Sequence, residues 1–495
     1  MPLNLITDPW IPVVRNGERV SICPHEIAGD NIERLDWPRD DLNLACLEFL
    51  IGLIFLADPP RDDSDWHARY DKPDSDRLRG AFEVYSQHFE LTGDGPRFLQ
   101  DLEPLEVLDN KVDIKPPDML FIDSAGANTA RKNADLMVKR NRYPKLGLSL
   151  AAMSLYTLQA FAPTGGAGIL TSMRGGGPMV TLMKPLDGGT HPLWRLAWCN
   201  VPEGRPLSPE DADQALPWLR PTRTSEKKQV VTPDMSHSGE AFFGMPRRIR
   251  LIFEKDAVTG VVQKSHGTRY EGWVHPLSPY YCKEVGGERL ATHPKPGRVS
   301  YRNWLGLSFG EDGEKRFMAE TVRRFRNLVD APVAELYVGG WAMNNMTPRD
   351  FSLHTYPAFC LDNDMEMRVA QLVEAANSAI RELSKSLQNA VELEGNAADA
   401  VKEAYFADTE QGFVSSVQAV AGGHDLEVEE FWIRGLRHTA LAVFDRHTRS
   451  ALSDRNVTDI EKTVMARRIL LAHFSKESGV RKIFPGLPAA RSNPT

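Results

Sequence analysis

The clearest apolar periodicity lies near the N-terminus, where Leu42, Cys46, Phe49, Leu50 and Leu53 recur at three- and four-residue steps and predict a buried helix over 42–56. Through the rest of the first 360 residues, short apolar runs are interrupted by Pro59-Pro60, Gly93-Asp94-Gly95-Pro96 and Gly286-Gly287. This punctuation belongs to a mixed α and β domain with long loops. Alternation in Arg248-Ile249-Arg250-Leu251-Ile252-Phe253-Glu254 predicts a strand, with a turn near Gly260 and a return strand near Val261-Val262. After Asp362 the pattern changes. Prolines are absent until Pro485, and Val369, Leu372, Val373, Ala376, Ile380, Leu383, Leu387 and Val391 mark one face of a long helix. Residues 398–420, 426–447 and 458–474 predict three more, separated at Glu394-Gly395-Asn396, Gly422-Gly423 and Ser453-Asp454-Arg455, with Thr458 and Glu461 spaced as a capping box. The expected fold class is α+β: a large mixed α/β N-terminal domain with long loops, residues 1–361, followed by a C-terminal four-helix bundle, residues 362–495.

Composition narrows the function. With 42% apolar and 25% charged residues in 495, the chain is of ordinary globular type, which excludes collagen-like and disordered readings. Lys and Arg number 59 against 67 Asp and Glu, a net charge of −8. Counterion release needs clustered cations, so any contact with nucleic acid must use local basic patches or neighbouring subunits. Cys23, Cys46, Cys199, Cys282 and Cys360 form no C-x-x-C pair, so neither a zinc site nor a disulfide framework is expected, and no cofactor is implied. The N-terminus lacks the basic and apolar regions of a leader, and the apolar run 46–57 contains Glu48 and is too short to span a bilayer. The expected location is therefore cytoplasmic, with no membrane role.

Enzyme signatures such as G-x-x-x-x-G-K-[ST], G-x-S-x-G and H-E-x-x-H are missing. His424-Asp425 reads as a helix cap, and His191 and His275 read as structural histidines. Three segments stand above this background. Gly165 to Gly177 holds six glycines in thirteen residues, a backbone able to press against a ligand or a nucleotide groove; two tight turns around a short strand fit the spacing equally well. Between Ala130 and Lys145, the cations Arg131, Lys132, Lys139, Arg140, Arg142 and Lys145 face only Asp135, either a phosphate-tracking surface or a solvated basic face. In Asn344-Asn345-Met346-Thr347-Pro348 a turn would expose Met346, an apolar side chain of the kind that wedges between base steps; a loop with one buried methionine is the plainer alternative.

Taken in order, Leu5-Ile6-Thr7-Asp8-Pro9-Trp10, the glycine segment, Trp218-Leu219-Arg220-Pro221, Phe243-Gly244-Met245-Pro246, Trp273-Val274-His275-Pro276, Gly339-Gly340-Trp341 and the terminal helices resemble the CasA family, the large subunit of the type I-E CRISPR surveillance complex Cascade. The resemblance implies a non-enzymatic subunit that reads the protospacer-adjacent motif of double-stranded DNA through the minor groove, helps open the duplex for R-loop formation with the guide RNA, and recruits a helicase-nuclease. The partners it implies are target DNA, guide RNA, the other Cascade subunits and that nuclease. It implies DNA-binding roles for Gly165, Gly166 and Gly168, for Asn345, Met346 and Thr347 at the family's wedge, and for Lys264 or Arg269 as the family's basic finger. Met346 stands where the family's better-known members carry glutamine. A loop facing guide RNA or neighbouring subunits falls on Phe121, Ile122 and Asp123 and continues through Arg131, Lys132, Lys139, Arg140 and Arg142, with Asp123 in place of an expected Asn. A Gly-loop enzyme acting on a nucleotide or phosphorylated metabolite is the alternative, with Gly165 to Gly177 as its anion cradle.

Overall fold

The computed structural model describes residues 2–107, 112–124, 142–295, 300–304, 306–307, 315–358, 361, 363–423, 427–449, 456–475, 479–484 and 487. The chain forms two compact units, one made of Met1–Pro296 with Met318–Ala358 and the other of Gly297–Phe317 with Phe359–Thr495. The α+β class expected from the sequence is borne out, with mixed sheet and helix followed by long C-terminal helices.

The first unit is built around the helix Asp40–Ala57, whose side chains are buried on nearly every face. Phe49 is its hub. The ring meets Trp10, Phe98 and Tyr156 edge-on at 5.6, 5.9 and 5.5 Å, and Phe89 and Phe243 at 6.4 and 6.3 Å. Edge-to-face pairs of this kind add about 0.5–1.5 kcal/mol each beyond the area they bury. Several of the sequence motifs are therefore core anchors: Trp10 donates its indole N–H to the Leu5 carbonyl at 2.8 Å, and Trp218 donates to the His88 carbonyl at 2.7 Å.

The strands Arg248–Glu254 and Ala257–Lys264 pair antiparallel as the alternation predicts, but the turn lies at Lys255-Asp256, not near Gly260. Lys255 takes the left-handed conformation itself, with φ 55°. Gly260 sits inside the return strand because a Cβ there would lie 2.5 Å from Ile114 Cγ2 of the neighbouring strand Ile114–Lys115. Close approach of two strands, not a turn, requires this glycine.

A second antiparallel sheet aligns Val180–Pro185, Ala334–Asn344 and Thr347–Pro357 in that order. Val180 lies opposite Gly339, so the chain entering Val180 runs beside Trp341 to Asn344, toward the hairpin tip. That register brings the glycine segment to the hairpin.

In the second unit, helices Asn363–Val391, Gly395–Ala421, Val428–Arg449 and Val457–Ser475 pack together, the first against each of the others. Val369, Leu372, Val373, Ala376, Ile380, Leu383 and Leu387 are buried along the predicted face. Trp432 donates to the Leu372 carbonyl at 2.8 Å, and Tyr301 stacks on Phe413 at 4.2 Å, its hydroxyl 2.7 Å from Thr409 Oγ1. The last helix starts two residues earlier than the capping box implies: Asn456 Oδ1 accepts from the Asp459 N–H at 2.9 Å, leaving Thr458 inside the first turn. His424-Asp425 and Ser453-Asp454-Arg455 lie outside the described residues.

Candidate nucleic-acid interface

The glycine-rich segment divides in two. Thr164 to Ala167 form an exposed turn, closed by the Gly165 N–H to the Ile169 carbonyl at 3.2 Å and the Ile169 N–H to the Gly166 carbonyl at 3.1 Å. Gly168 follows with φ 73°, and its carbonyl accepts from the His266 N–H at 2.7 Å; a Cβ at Gly168 would lie 2.8 Å from Ser265 Cβ. The backbone here is bare and presses directly on the segment that follows Lys264.

The second half, Ser172 to Met179, is mostly buried and anchored. The Gly177 N–H donates to the Phe161 carbonyl at 3.0 Å, and a Cβ at Gly177 would lie 2.5 Å from the Trp341 carbonyl oxygen. Arg247 braces the turn from beneath, donating to the Leu170 carbonyl at 2.7 Å and to the Pro163 carbonyl. Burial pulls its guanidinium down to about 10, which leaves it cationic at neutral pH.

The residues Asn344-Asn345-Met346-Thr347 close the hairpin, with Asn344 paired to Thr347 and Asn345 and Met346 at the two central positions. Both are left-handed, φ 48° and 60°, which is the type I′ geometry that favours Asn and Gly. Asn345 suits its place, whereas Met346 does not. Its side chain is 41% exposed yet leans on the glycine segment, Sδ lying 3.0 Å from where a Gly176 Cβ would be. The structure thus brings the glycine segment and the Met346 tip together.

Of the two candidates for a basic finger, Lys264 ends the strand Ala257–Lys264 next to the residues that touch Gly168. Arg269 is exposed and pairs with Glu271 at 2.9 Å. The Phe121 region is differently disposed from the surface loop expected of it. Phe121 and Ile122 are buried, and Asp123 is held between Arg39 at 3.1 Å and Arg142 at 3.2 Å, both guanidinium groups lying over the Phe121 ring. Arg131, Lys132, Lys139 and Arg140 lie outside the described residues.

Sequence reasoning missed two features. Arg174, within the glycine segment, donates to Glu48 Oε1 at 2.6 Å and to Ser278 Oγ at 3.1 Å, and His275 Nε2 lies 3.4 Å from the same carboxylate oxygen. All four groups are buried. Burial opposes the Glu48 charge, but Arg174 and His275 outweigh it and hold the carboxyl below its ordinary range. Burial, helped by Arg174, lowers His275 to about 4, so its ring is neutral. This cluster ties the central helix to the base of the glycine segment; an acidic residue inside the apolar run 46–57 was its one visible sign. The second missed feature is the turn Glu226-Lys227-Lys228-Gln229, whose lysine pair carries no turn signal of its own. Among the described residues, no three His, Cys, Asp or Glu side chains gather to hold a metal, and no helix is long and apolar enough to cross a membrane.

Residues 4–443 match the family model described as CRISPR-associated protein Cse1. The chain is a CRISPR-associated protein, and within that class it belongs to the Cse1 family. Its fold is similar to that of Thermus thermophilus CasA (Cse1), at 18% identity and TM-score 0.71 over 95% of this chain and 99% of that one. Thermobifida fusca Cse1 is 17% identical with TM-score 0.71, covering 96% of this chain and 98% of its own. A chain of a solved CRISPR RNA-guided surveillance complex is 16% identical with TM-score 0.69, over 95% of this chain and 99% of that chain. The family resemblance read from the sequence is borne out.

Proposed function

We propose that the protein is a non-catalytic, cytoplasmic subunit of an RNA-guided surveillance complex that reads a short motif in double-stranded DNA from the minor groove, starts strand opening, and presents the opened target to a helicase-nuclease. Membership of the Cse1 family and the likeness to a chain of an RNA-guided surveillance complex support the setting. One observation carries the site. A bare-backbone turn at Gly165–Gly168 and the exposed residue Met346 belong to elements that touch each other at Gly176.

The chemistry follows from that pairing. A backbone without Cβ atoms can approach the shallow groove closely, where the donor and acceptor pattern is degenerate and several motifs are tolerated. An apolar tip beside it can enter a base step and unstack it, as minor-groove wedges do. Sequence reading beyond the motif is left to guide pairing, so the protein needs no extended base-reading surface. The anion-cradle alternative loses ground because the amides of Gly165, Ile169, Gly175 and Gly177 donate to carbonyls of the same stretch of chain, at 2.9–3.2 Å, and do not point to a ligand.

The test is Gly168→Asp in the guide-loaded complex. A Cβ at φ 73° and 2.8 Å from Ser265, carrying a carboxylate, adds bulk and negative charge where the groove is proposed to lie. Loss of motif-dependent duplex binding, with subunit assembly intact, is expected. Wild-type affinity and motif preference in that variant would reject the reading.

A further inference from the structure

The turn Glu226-Lys227-Lys228-Gln229 is closed by the Gln229 N–H donating to the Glu226 carbonyl at 3.2 Å, and its two central residues are left-handed, φ 56° and 63°. This is again type I′ geometry, whose central positions ordinarily fall to Gly, Asn or Asp. Lysine has a Cβ to strain and no short polar side chain to hydrogen-bond its own backbone, so local folding gives no reason for two of them here. All four residues are exposed. Neither ammonium is in an ion pair with a described residue, whereas nearby Arg269 is paired with Glu271 at 2.9 Å.

The turn has a fixed place. On one side the Ser225 N–H donates to the Gly267 carbonyl at 3.0 Å; on the other the Val231 N–H donates to the Arg269 carbonyl at 2.7 Å, and the Glu271 N–H returns to Val231 at 3.1 Å. Residues 267–271 are therefore the floor on which the turn stands. The same stretch begins at Ser265 and His266, which carry the contact with Gly168. From Ser265 to Gly267 is two residues, at most about 7 Å of chain. Two ammonium groups thus stand on a closed turn one segment away from the bare glycine backbone.

We propose that Lys227 and Lys228 form a phosphate clamp, gripping the sugar-phosphate backbone of double-stranded DNA that borders the groove facing Gly168. This rests on the motif-reading role proposed above, but assigns these lysines a different task. They supply sequence-independent affinity and register, and leave base preference to the groove contacts. A turn rather than a mobile arm holds them, so their backbone is ordered before DNA arrives.

The experiment uses the guide-loaded complex containing wild-type chain, Lys227→Asn with Lys228→Gly, or Lys227→Arg with Lys228→Arg. Asn-Gly is the pair that type I′ geometry favours, so the first variant keeps the turn while removing both charges. Duplex affinity is measured against salt concentration, with and without the motif. The uncharged variant is expected to show a salt slope less steep by roughly 2, about 0.9 for each phosphate no longer neutralised. It should weaken motif-bearing and motif-less duplexes by the same factor, and the arginine variant should keep the wild-type slope. An unchanged slope in the Asn-Gly variant overturns the clamp. Failure of that variant to assemble with guide RNA also overturns it, assigning the turn to a protein contact. Motif-blind binding by the wild-type complex would instead reject the motif-reading role, while the slopes still judge the lysines.

Discussion

Replacing Met346 separates what the hairpin tip does for folding from what it does for DNA. A left-handed residue with a Cβ costs about 1–2 kcal/mol, and glycine escapes that cost. At φ 60° Met346 carries it. Against this stands its packing: at 41% exposure, somewhat over half of the ~1.5–3 kcal/mol that full burial gives a methionine is realised, or about 1–2 kcal/mol. Met346→Gly gives up both and adds under ~1 kcal/mol of unfolded-chain entropy, so the chain is expected to stay within about 1 kcal/mol of wild type. Met346→Ala gives up the packing and keeps the strain. Glycine should therefore be no less stable than alanine at this position, the reverse of the order in a helix or strand, where glycine is worse by roughly 0.5–1 kcal/mol. Function should not follow that order. If the thioether is buried between bases in the opening step, its removal takes about 1.5–3 kcal/mol from both variants alike, a tenfold to hundredfold slowing. Urea unfolding of the full chain reads the first quantity. Stopped-flow fluorescence of a 2-aminopurine placed beside the motif, on guide-loaded complex, reads the second and separates opening from encounter by its concentration dependence. A glycine variant that opens DNA at the wild-type rate would rule out the wedge, and one clearly less stable than the alanine variant would rule out the strain at the tip.

Three further outcomes involve the buried cluster and the basic segment. Arg174→Met should destabilise the chain by about 3–5 kcal/mol in urea unfolding, because it strands a buried Glu48 carboxylate, and adding Glu48→Leu should recover much of that stability. His275 has a folded value near 4, below its ordinary 6.5, so the stability it contributes is full above pH 6.5 and is lost as pH falls from 6.5 to 4. That amounts to roughly 3 kcal/mol, and unfolding of His275→Gln should show a flatter pH dependence across that window; equal slopes would count against it. Substituting Arg131, Lys132 and Lys139 by serine should lower the salt slope of complex binding to DNA by about 0.9 for each phosphate left without its cation, and an unchanged slope would mark that segment as a solvated basic face.

What the sequence made legible was what depends on neighbours along the chain. Periodicity places the helix Asp40–Ala57 and the four late helices because burial of one face is written locally at three- and four-residue steps. What it obscured depends on partners far away. Gly260 looks like a turn, and only the Ile114 side chain on an adjacent strand makes it a strand glycine. The one local miss is Thr458 and Glu461, which have the spacing of a cap while Asn456, two residues earlier, accepts from the Asp459 amide. Arg174 is one cation among the glycines until Glu48, 126 residues away, closes on it at 2.6 Å. The candidate site was half visible: the glycine segment and the tip could each be picked out, while their mutual contact required the register of Val180 against Gly339.

Two of the type I′ turns share one anomaly. Each is closed in the ordinary way, and each departs from turn chemistry where a side chain is displayed: Met346 in one, Lys227 and Lys228 in the other. Strain of this kind persists only where the surrounding fold over-determines it, and it gathers at sites of function. Here the surrounding fold is identifiable. The hairpin pairing from Glu335 to Asn344 holds the first turn, and the 267–271 floor holds the second. The glycine segment touches Met346 at Gly176 and, at Gly168, Ser265 and His266, which lead into that floor. On the proposed reading, an apolar tip, a bare backbone and a cationic turn would meet the three parts of a duplex edge: base step, groove and phosphate.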